Sequence, residues 1–514
     1  DVWYERKLHE QIVDIVSDEI IDGNVIGWVE GRMEFGARAL GNRSILANPR
    51  DPQMKSRLNR VIKKREGFRP FAPMVKEDKA SKYFNYTDTV PYMNQVVKVN
   101  KEYTSELPAI THIDNSARIQ TVTKEQNEWL YNLLTEFEKI SEECGGCLEV
   151  FYVSGIIGPQ NRIPVATNVV NVVAIQRGYA DPNRFVVMSG DIDSRVSDPT
   201  NGISDSPGAN DNASGMAGAI EAARILSTYQ FPSSIIYTGL SGEEQGLLGG
   251  KILADYAIAN EWDIKGVLNN DMIGNIKGIN GVIDNTTARV FSEGTRYVET
   301  EREARMRRFT GGEVDSPSRN LARYVDLMAD RYIPNLDVMM IYRLDRFGRG
   351  GHHRPFNEVG FPAVRIMETN ENYVMQHQDI RVEDGIKYGD TIDGVDFDYA
   401  AKLTNLNAVV MASMAWAPAP PANVRIQGAV QPSTTLSWKA LNPTENPQLA
   451  GYKIYWRLTD SNQWQWSRFV PSEVVEYTLE NVVIDNYYFG VAAVSKEGFE
   501  SPVVFPGPAG SFGD

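Results

Sequence analysis

Cysteine is almost missing from this chain. Two occur in 514 residues, Cys144 and Cys147, three positions apart in a CGGC turn. Two cysteines cannot build a disulfide scaffold. With no second CxxC and no thioredoxin-like setting, a local disulfide or two idle thiols suits them better than a redox pair or half a metal site. Long apolar runs are also missing. No stretch of 18 or more apolar residues occurs, so a membrane-spanning helix is not expected. An excess of positive charge is missing too: 52 Lys and Arg face 67 Asp and Glu, for a net charge of −15. A chain that must neutralise phosphates is usually basic, which argues against nucleic acid as a partner. No repeat with a period of 20 to 50 residues and no low-complexity tract is present. The first ten residues, DVWYERKLHE, are charged and unlike a signal peptide.

What is present is ordinary for a globular protein: 42% hydrophobic and 23% charged residues. The length predicts two to four domains. Texture divides the chain into an arginine-rich, proline-punctuated segment over residues 1–125, a long region over 126–416, a stiff proline-rich linker APAPPA over 417–422, and short alternating strands over 423–514. The expected fold class is multidomain α/β: a central doubly wound mixed sheet, preceded by an α+β segment and followed by a β-sandwich.

The long region opens on an amphipathic helix, EWLYNLLTEFEKISEE, followed by strands around LEVFYV and TNVVNVVAIQ. Strands and helices then alternate. RFVVMSGDID, SSIIYTGLS, KGVLNNDM, DVMMIY and PAVRIME read as strands. MAGAIEAARILSTY, QGLLGGKILADYAIAN and DYAAKLTNLNAVVMASMA read as helices. In such sheets ligands bind beyond the carboxyl ends of the strands. Asp191, Glu243, Glu244 and Asp271 all fall at those ends.

These acids lie in a series of motifs: SGDIDS (189–194), GANDNASG (208–215), SGEEQG (241–246), NNDM (269–272) and finally QHQD (376–379). Each has a plain structural use. Asp211 sits where a carboxylate caps a helix. Adjacent glutamates suit a helix start. A single histidine is more often structural. Asp271, however, ends an apolar strand, where an unpaired charge is costly and a cation solves the problem. Together, in this order, the motifs describe a site for divalent metal.

The pattern over about residues 130–415 resembles the bacterial leucyl aminopeptidase and glutamate carboxypeptidase group of co-catalytic zinc peptidases, and most of all members with a C-terminal fibronectin type III domain. The resemblance implies two divalent ions, zinc in the family, and a peptide or protein substrate. It implies that Asp211 bridges both ions, that Asp271 and the residue at 191 complete one, and that Glu244 and His377 complete the other. Glu243 would be the general base, and Asp193 would orient the ligand at 191. The family pattern is G-H-x-D-S, yet here position 191 is aspartate. A set of three carboxylates suits Mn²⁺, Mg²⁺ or Ca²⁺ better than Zn²⁺. Three outcomes stay open: an active enzyme with altered metal preference, a one-metal enzyme, and a non-catalytic relative kept for binding or assembly. Relatives also usually carry an acid where His352 stands in GGHHRPF; His352 or His353 could substitute as a ligand, and a polar, surface-facing pair is the expectation preferred over that. The resemblance further suggests an exopeptidase, aminopeptidase-like, in a secreted or periplasmic setting.

Near the N-terminus, GWVEGRMEFGARALGNRSILANPRDPQMKSRLN, KKREGFRPFAPMV and ITHIDNSARIQTV resemble the C-terminal, YrdC-like part of the O-carbamoyltransferases. That resemblance implies binding of a nucleotide or carbamoyl phosphate, with Arg38, Arg43, Lys63, Arg65 and Arg69 as anion ligands. A salt-bridge network within an acidic chain is the alternative. Residues 423–514, with Trp438 on an early strand and Tyr452 and Tyr488 on later ones, argue a β-sandwich. They resemble a fibronectin type III domain, which implies a spacer, a surface-binding module or a partner for the catalytic domain.

Overall fold

The computed structural model describes residues 9–21, 23–29, 43–63, 71–86, 90, 93, 95–122 and 147–506. The chain forms two compact units that divide near residues 147–152. The amphipathic helix expected over 128–143 and Cys144 lie outside the described residues. Cys147 Sγ approaches the Ser227 carbonyl at 3.8 Å.

The first unit is α+β. A helix, His9–Ile21, precedes an antiparallel pair, Ile26–Val29 with Arg43–Leu46. A three-stranded sheet follows, in which Ser116–Val122 runs parallel to Met74–Lys76 and antiparallel to Gln95–Lys98. Its core includes Phe84, Val97, Ile110 and Ile119. Arg38, Arg65 and Arg69 lie outside the described residues. Arg43 opens its strand, and Lys63 is exposed.

The second unit is built on a mixed sheet of eight described strands: β1 (Leu148–Ile157), β2 (Thr167–Gln176), β3 (Asp181–Asp191), β4 (Ser233–Leu240), β5 (Asp263–Asn270), β6 (Thr287–Ser292), β7 (Asp337–Ile341) and β8 (Ala363–Glu368). Their order is β7-β6-β8-β5-β3-β4-β2-β1. The four central strands β8, β5, β3 and β4 run parallel, while β2 and β6 run antiparallel to their inner neighbours. Parallel strands covered on both faces read as continuous apolar runs, and every residue of β4 and β8 is buried. Helices α1 (Ala213–Leu226), α2 (Leu248–Ala259), α3 (Pro317–Tyr332) and α4 (Phe397–Trp416) cover the sheet, with α4 packed on α1 and α3. The chain leaves β3 to one side for β4 and returns to the other side for β5. That reversal opens a crevice at the carboxyl end of β3, where sheets of this kind take ligands.

Two three-stranded antiparallel sheets close the unit. One joins Ala422–Gln427, Thr434–Lys439 and Glu476–Leu479; the other joins Trp466–Pro471, Leu449–Leu458 and Tyr487–Ser495. They share a core that contains Val424, Leu436, Trp438, Tyr452, Ile454 and Phe489. This part is bound to the large sheet by buried polar contacts. The Asp315 carboxylate accepts Arg457 Nη2 at 2.8 Å on each oxygen and Arg323 Nη1 at 2.9 Å. Tyr324 donates to the Glu500 carbonyl at 2.8 Å, and Arg331 pairs with the Glu500 carboxylate at 3.0 Å.

Candidate metal centre

The expected site residues converge at the β3 crevice. Asp191 is the last residue of β3 and Asp271 directly follows β5. Glu243 and Glu244 lie in the turn after β4, and Asp211 precedes α1. His377 arrives on the loop after β8 with a left-handed backbone, φ +56°.

Local sequence explains the placement. Asn212 caps α1 by accepting Gly215 N–H at 3.1 Å. Its amide donates to Asp191 Oδ2 at 2.8 Å and to the Asn270 carbonyl at 2.7 Å. One side chain therefore ties the start of α1 to the ends of β3 and β5. Close approach demands glycine here: a Cβ on Gly190 would lie 2.6 Å from the Gly215 backbone. Asp390 accepts the backbone N–H groups of Asn210 and Asp211, the latter at 2.7 Å, and fixes the loop that presents Asp211.

Asp211, Glu244 and His377 form a compact trio. His377 Nε2 lies 2.9 Å from Asp211 Oδ2 and 2.7 Å from Glu244 Oε1. Gln376 donates to the same Asp211 oxygen at 3.2 Å, and Arg195 holds Glu244 Oε2 at 2.8 Å. Burial lowers the proton affinity of His377, but hydrogen bonds to the two carboxylates outweigh it and push the ring up to about 9. On its other side, Nδ1 faces Arg195 Nη2 at 2.7 Å and Arg349 Nη2 at 3.4 Å. A guanidinium only donates, so the two arginines favour an unprotonated Nδ1 and oppose the upward pull of the carboxylates on Nε2. Burial raises Asp211, but the His377 hydrogen bond and charge bring its carboxyl below the usual range.

The other acids are poorly compensated. Burial raises Asp191 to about 8, with the charges of Asp211 and Glu244 adding to it against Asn212 and Arg365. Burial likewise raises Glu243 and Asp271 well above their ordinary values, reinforced by neighbouring carboxylates and opposed by Arg365. Buried acids that repel one another in this way call for a cation.

Two expectations need correction. His352 and His353 do not face the surface; both are fully buried. The reason is a hydrogen-bonded framework at the sheet end. His352 Nδ1 lies 2.6 Å from Asp191 Oδ1 and His353 Nε2 lies 2.8 Å from the Leu344 carbonyl. Asp193 does not orient residue 191. It accepts Glu243 N–H at 3.1 Å and Glu244 N–H at 3.0 Å, and so shapes the diglutamate turn. Burial raises its carboxyl to about 6. Among the described residues, the hydrogen bonds to Asp191 come from Asn212 and His352.

Sequence reasoning also missed Arg365, on β8. It is fully buried, with Nη2 2.6 Å from Asp271 Oδ2 in an ion pair that lacks hydrogen-bond angles. Its Nη1 donates to Asp345 at 3.1 and 3.2 Å. The signal was an arginine inside the otherwise apolar strand PAVRIME.

The donor set tests which ions fit. One imidazole nitrogen and two carboxylate oxygens, their ligand atoms all within 4.8 Å of one another, match a zinc site with a fourth position left for water or substrate. A zinc ion would take the place of the proton on His377 Nε2.

A trio that could hold zinc, with a buried glutamate beside it, lies at the switch point of an eight-stranded mixed sheet. Residues 171–389 match the model of Peptidase family M28, and residues 17–146 match that of the Carbamoyltransferase C-terminus. A protein of Pyrenophora teres f. teres named "Probable zinc metalloprotease" is 41% identical over 380 residues, which are 73% of this chain and 78% of that protein. One of the same name from Pyrenophora tritici-repentis is also 41% identical, over 73% of this chain and 77% of its own length. The Legionella pneumophila LapA aminopeptidase overlaps 57% of this chain and 64% of its own, with 20% identity and a TM-score of 0.40. The chain belongs to Peptidase family M28, a family of zinc metallopeptidases, and carries a carbamoyltransferase C-terminal segment before its peptidase domain.

Proposed function

We propose that the chain is an exopeptidase of aminopeptidase type, with zinc held by Asp211, Glu244 and His377 and with Glu243 as general base. The observation that carries this reading is the convergence of the trio with Glu243, which neighbours a ligand in sequence and sits among Asp271, Asp191 and Glu244 in space. When bound, zinc supplies Lewis-acid polarisation of the scissile carbonyl. Glu243 takes a proton from the attacking water and delivers it to the leaving nitrogen, a role for which a raised proton affinity is suited. Asp193 holds the backbone of Glu243 and so aims its carboxylate. Arg195 fixes two ligands at once, Glu244 through Oε2 and His377 through Nδ1.

The C-terminal sandwich is read as fibronectin type III-like, on the support of its paired sheets and its Trp438–Tyr452 core contact, with ring centroids 5.2 Å apart. Its buried ionic contacts with α3 favour a structural partner of the catalytic domain over a tethered module.

Hydrolysis of aminoacyl-anilides and of blocked peptides tests the reading. Free-amino substrates should be cleaved, N-acetylated ones should not, and chelation should abolish turnover. Glu243→Gln should keep its zinc and lose about 10²–10⁴-fold in kcat. Equal cleavage of blocked and free substrates would refute the exopeptidase reading, and an active Glu243→Gln would refute the base.

A further inference from the structure

We infer that Arg365 is a resident cation that takes the place of a second metal ion, so that this centre holds one divalent ion and not two. The inference rests on the reading of Asp211, Glu244 and His377 as zinc ligands. A second ion would need Asp191, Asp271 and the remaining oxygen of Asp211. Both oxygens of Asp191 are engaged, Oδ1 with His352 at 2.6 Å and Oδ2 with Asn212 at 2.8 Å. Asp271 Oδ2 is paired with Arg365 Nη2 at 2.6 Å. The guanidinium cannot swing away, because Nη1 is bonded to both oxygens of Asp345 and to the Gly350 carbonyl, at 2.5 Å for the last. Its charge also acts on Glu243 and Asp191.

The exchange is consistent across the site. Position 191 has aspartate where the peptidase pattern has histidine, and position 352 has histidine where an acid is usual. The two face each other at 2.6 Å. An acid–imidazole pair is thus retained with its members reversed, and each oxygen of Asp191 already accepts a hydrogen bond. A fixed guanidinium and a divalent ion cannot both stand against Asp271 without severe repulsion, since both would be buried there. Arg365 is fully buried and does not touch solvent, so it acts through Asp271 as a positioning residue.

Equilibrium dialysis of the metal-stripped full chain against buffered Zn²⁺, with metal counted by mass spectrometry, tests this directly. The wild type should bind about one zinc per chain, and Asp211→Ala about none. Arg365→Met combined with Asp345→Asn removes the cation without orphaning its other carboxylate, and should rise toward two. Arg365→Lys should stay at one. Two ions in the wild type would overturn the inference and leave the zinc trio standing; no ion would overturn the trio itself. A folded double variant that stays at one would show that Arg365 does not exclude the second ion. If that variant fails to fold, the wild-type count decides.

Discussion

Replacing Asp315 by alanine deletes the carboxylate on which Arg323 and Arg457 converge. Three charge-assisted hydrogen bonds of 2.8, 2.8 and 2.9 Å disappear. Asp315 and Arg457 have fully buried side chains, and that of Arg323 is 1% exposed. Breaking a buried ion pair by removing one partner typically costs about 3–5 kcal/mol, because a charge is left uncompensated. Here two guanidiniums are stranded, but each keeps other acceptors. Arg323 still bonds the Val314 and Asn462 carbonyls at 2.7 Å each, and Arg457 still lies over the Tyr488 ring at 4.7 Å. These contacts place the expected loss near the lower bound, about 3 kcal/mol. With a urea slope of about 3 kcal/mol per molar, the midpoint should fall by about 1 M. Urea titration followed by tryptophan fluorescence reads this, since Trp464 lies beside both arginines. The sandwich and the sheet should unfold together earlier, because the lost carboxylate joins them. A midpoint change below about 0.3 M would refute the claim that this network binds the two parts.

Arg195→Met should weaken zinc binding about 10–100-fold, since it removes the partner that orients both Glu244 and His377; competition against a chelating dye measures it. Burial, with the nearby charges of Asp330 and Asp337, pushes the Asp326 carboxyl up from 3.8 to about 6. The folded chain therefore binds more protons than the unfolded one across about pH 4–6, so stability falls as pH rises through that window, by roughly 3 kcal/mol at most. Asp326→Asn should lack this fall and be the more stable protein above pH 6, as urea titrations at pH 4 and pH 7 would show; an unchanged difference between the two pH values would exclude the effect.

Much of this molecule was legible in the sequence because parallel strands buried on both faces leave continuous apolar runs. β3, β4, β5 and β8 all read that way, and the polar ends of β3, β4 and β5 marked Asp191, Glu243, Glu244 and Asp271. β6, TARVFS, was missed because an arginine and two hydroxyl residues break its apolar run. Helix α3 was missed for a related reason: PSRNLARYVDLMADRY is rich in charge, yet Arg319 and Arg323 are buried against polar acceptors. The same blind spot hid Arg365 and His352. A buried charged group is set by partners distant in sequence: 94 positions separate Arg365 from Asp271 and 161 separate His352 from Asp191. Spacing along one chain does not encode such pairs. Asn212 was visible within GANDNASG, but its joint role as helix cap and as donor to Asp191 required the fold.

X-ray absorption at the zinc edge of the loaded full-length chain tests the central claim most directly. The account predicts a first shell of about four light atoms near 2.0–2.1 Å, with one imidazole, oxygen donors for the rest and no sulfur. The imidazole scattering should vanish in His377→Ala and persist in His352→Ala. A sulfur shell near 2.3 Å, or two imidazoles on one zinc, would contradict it.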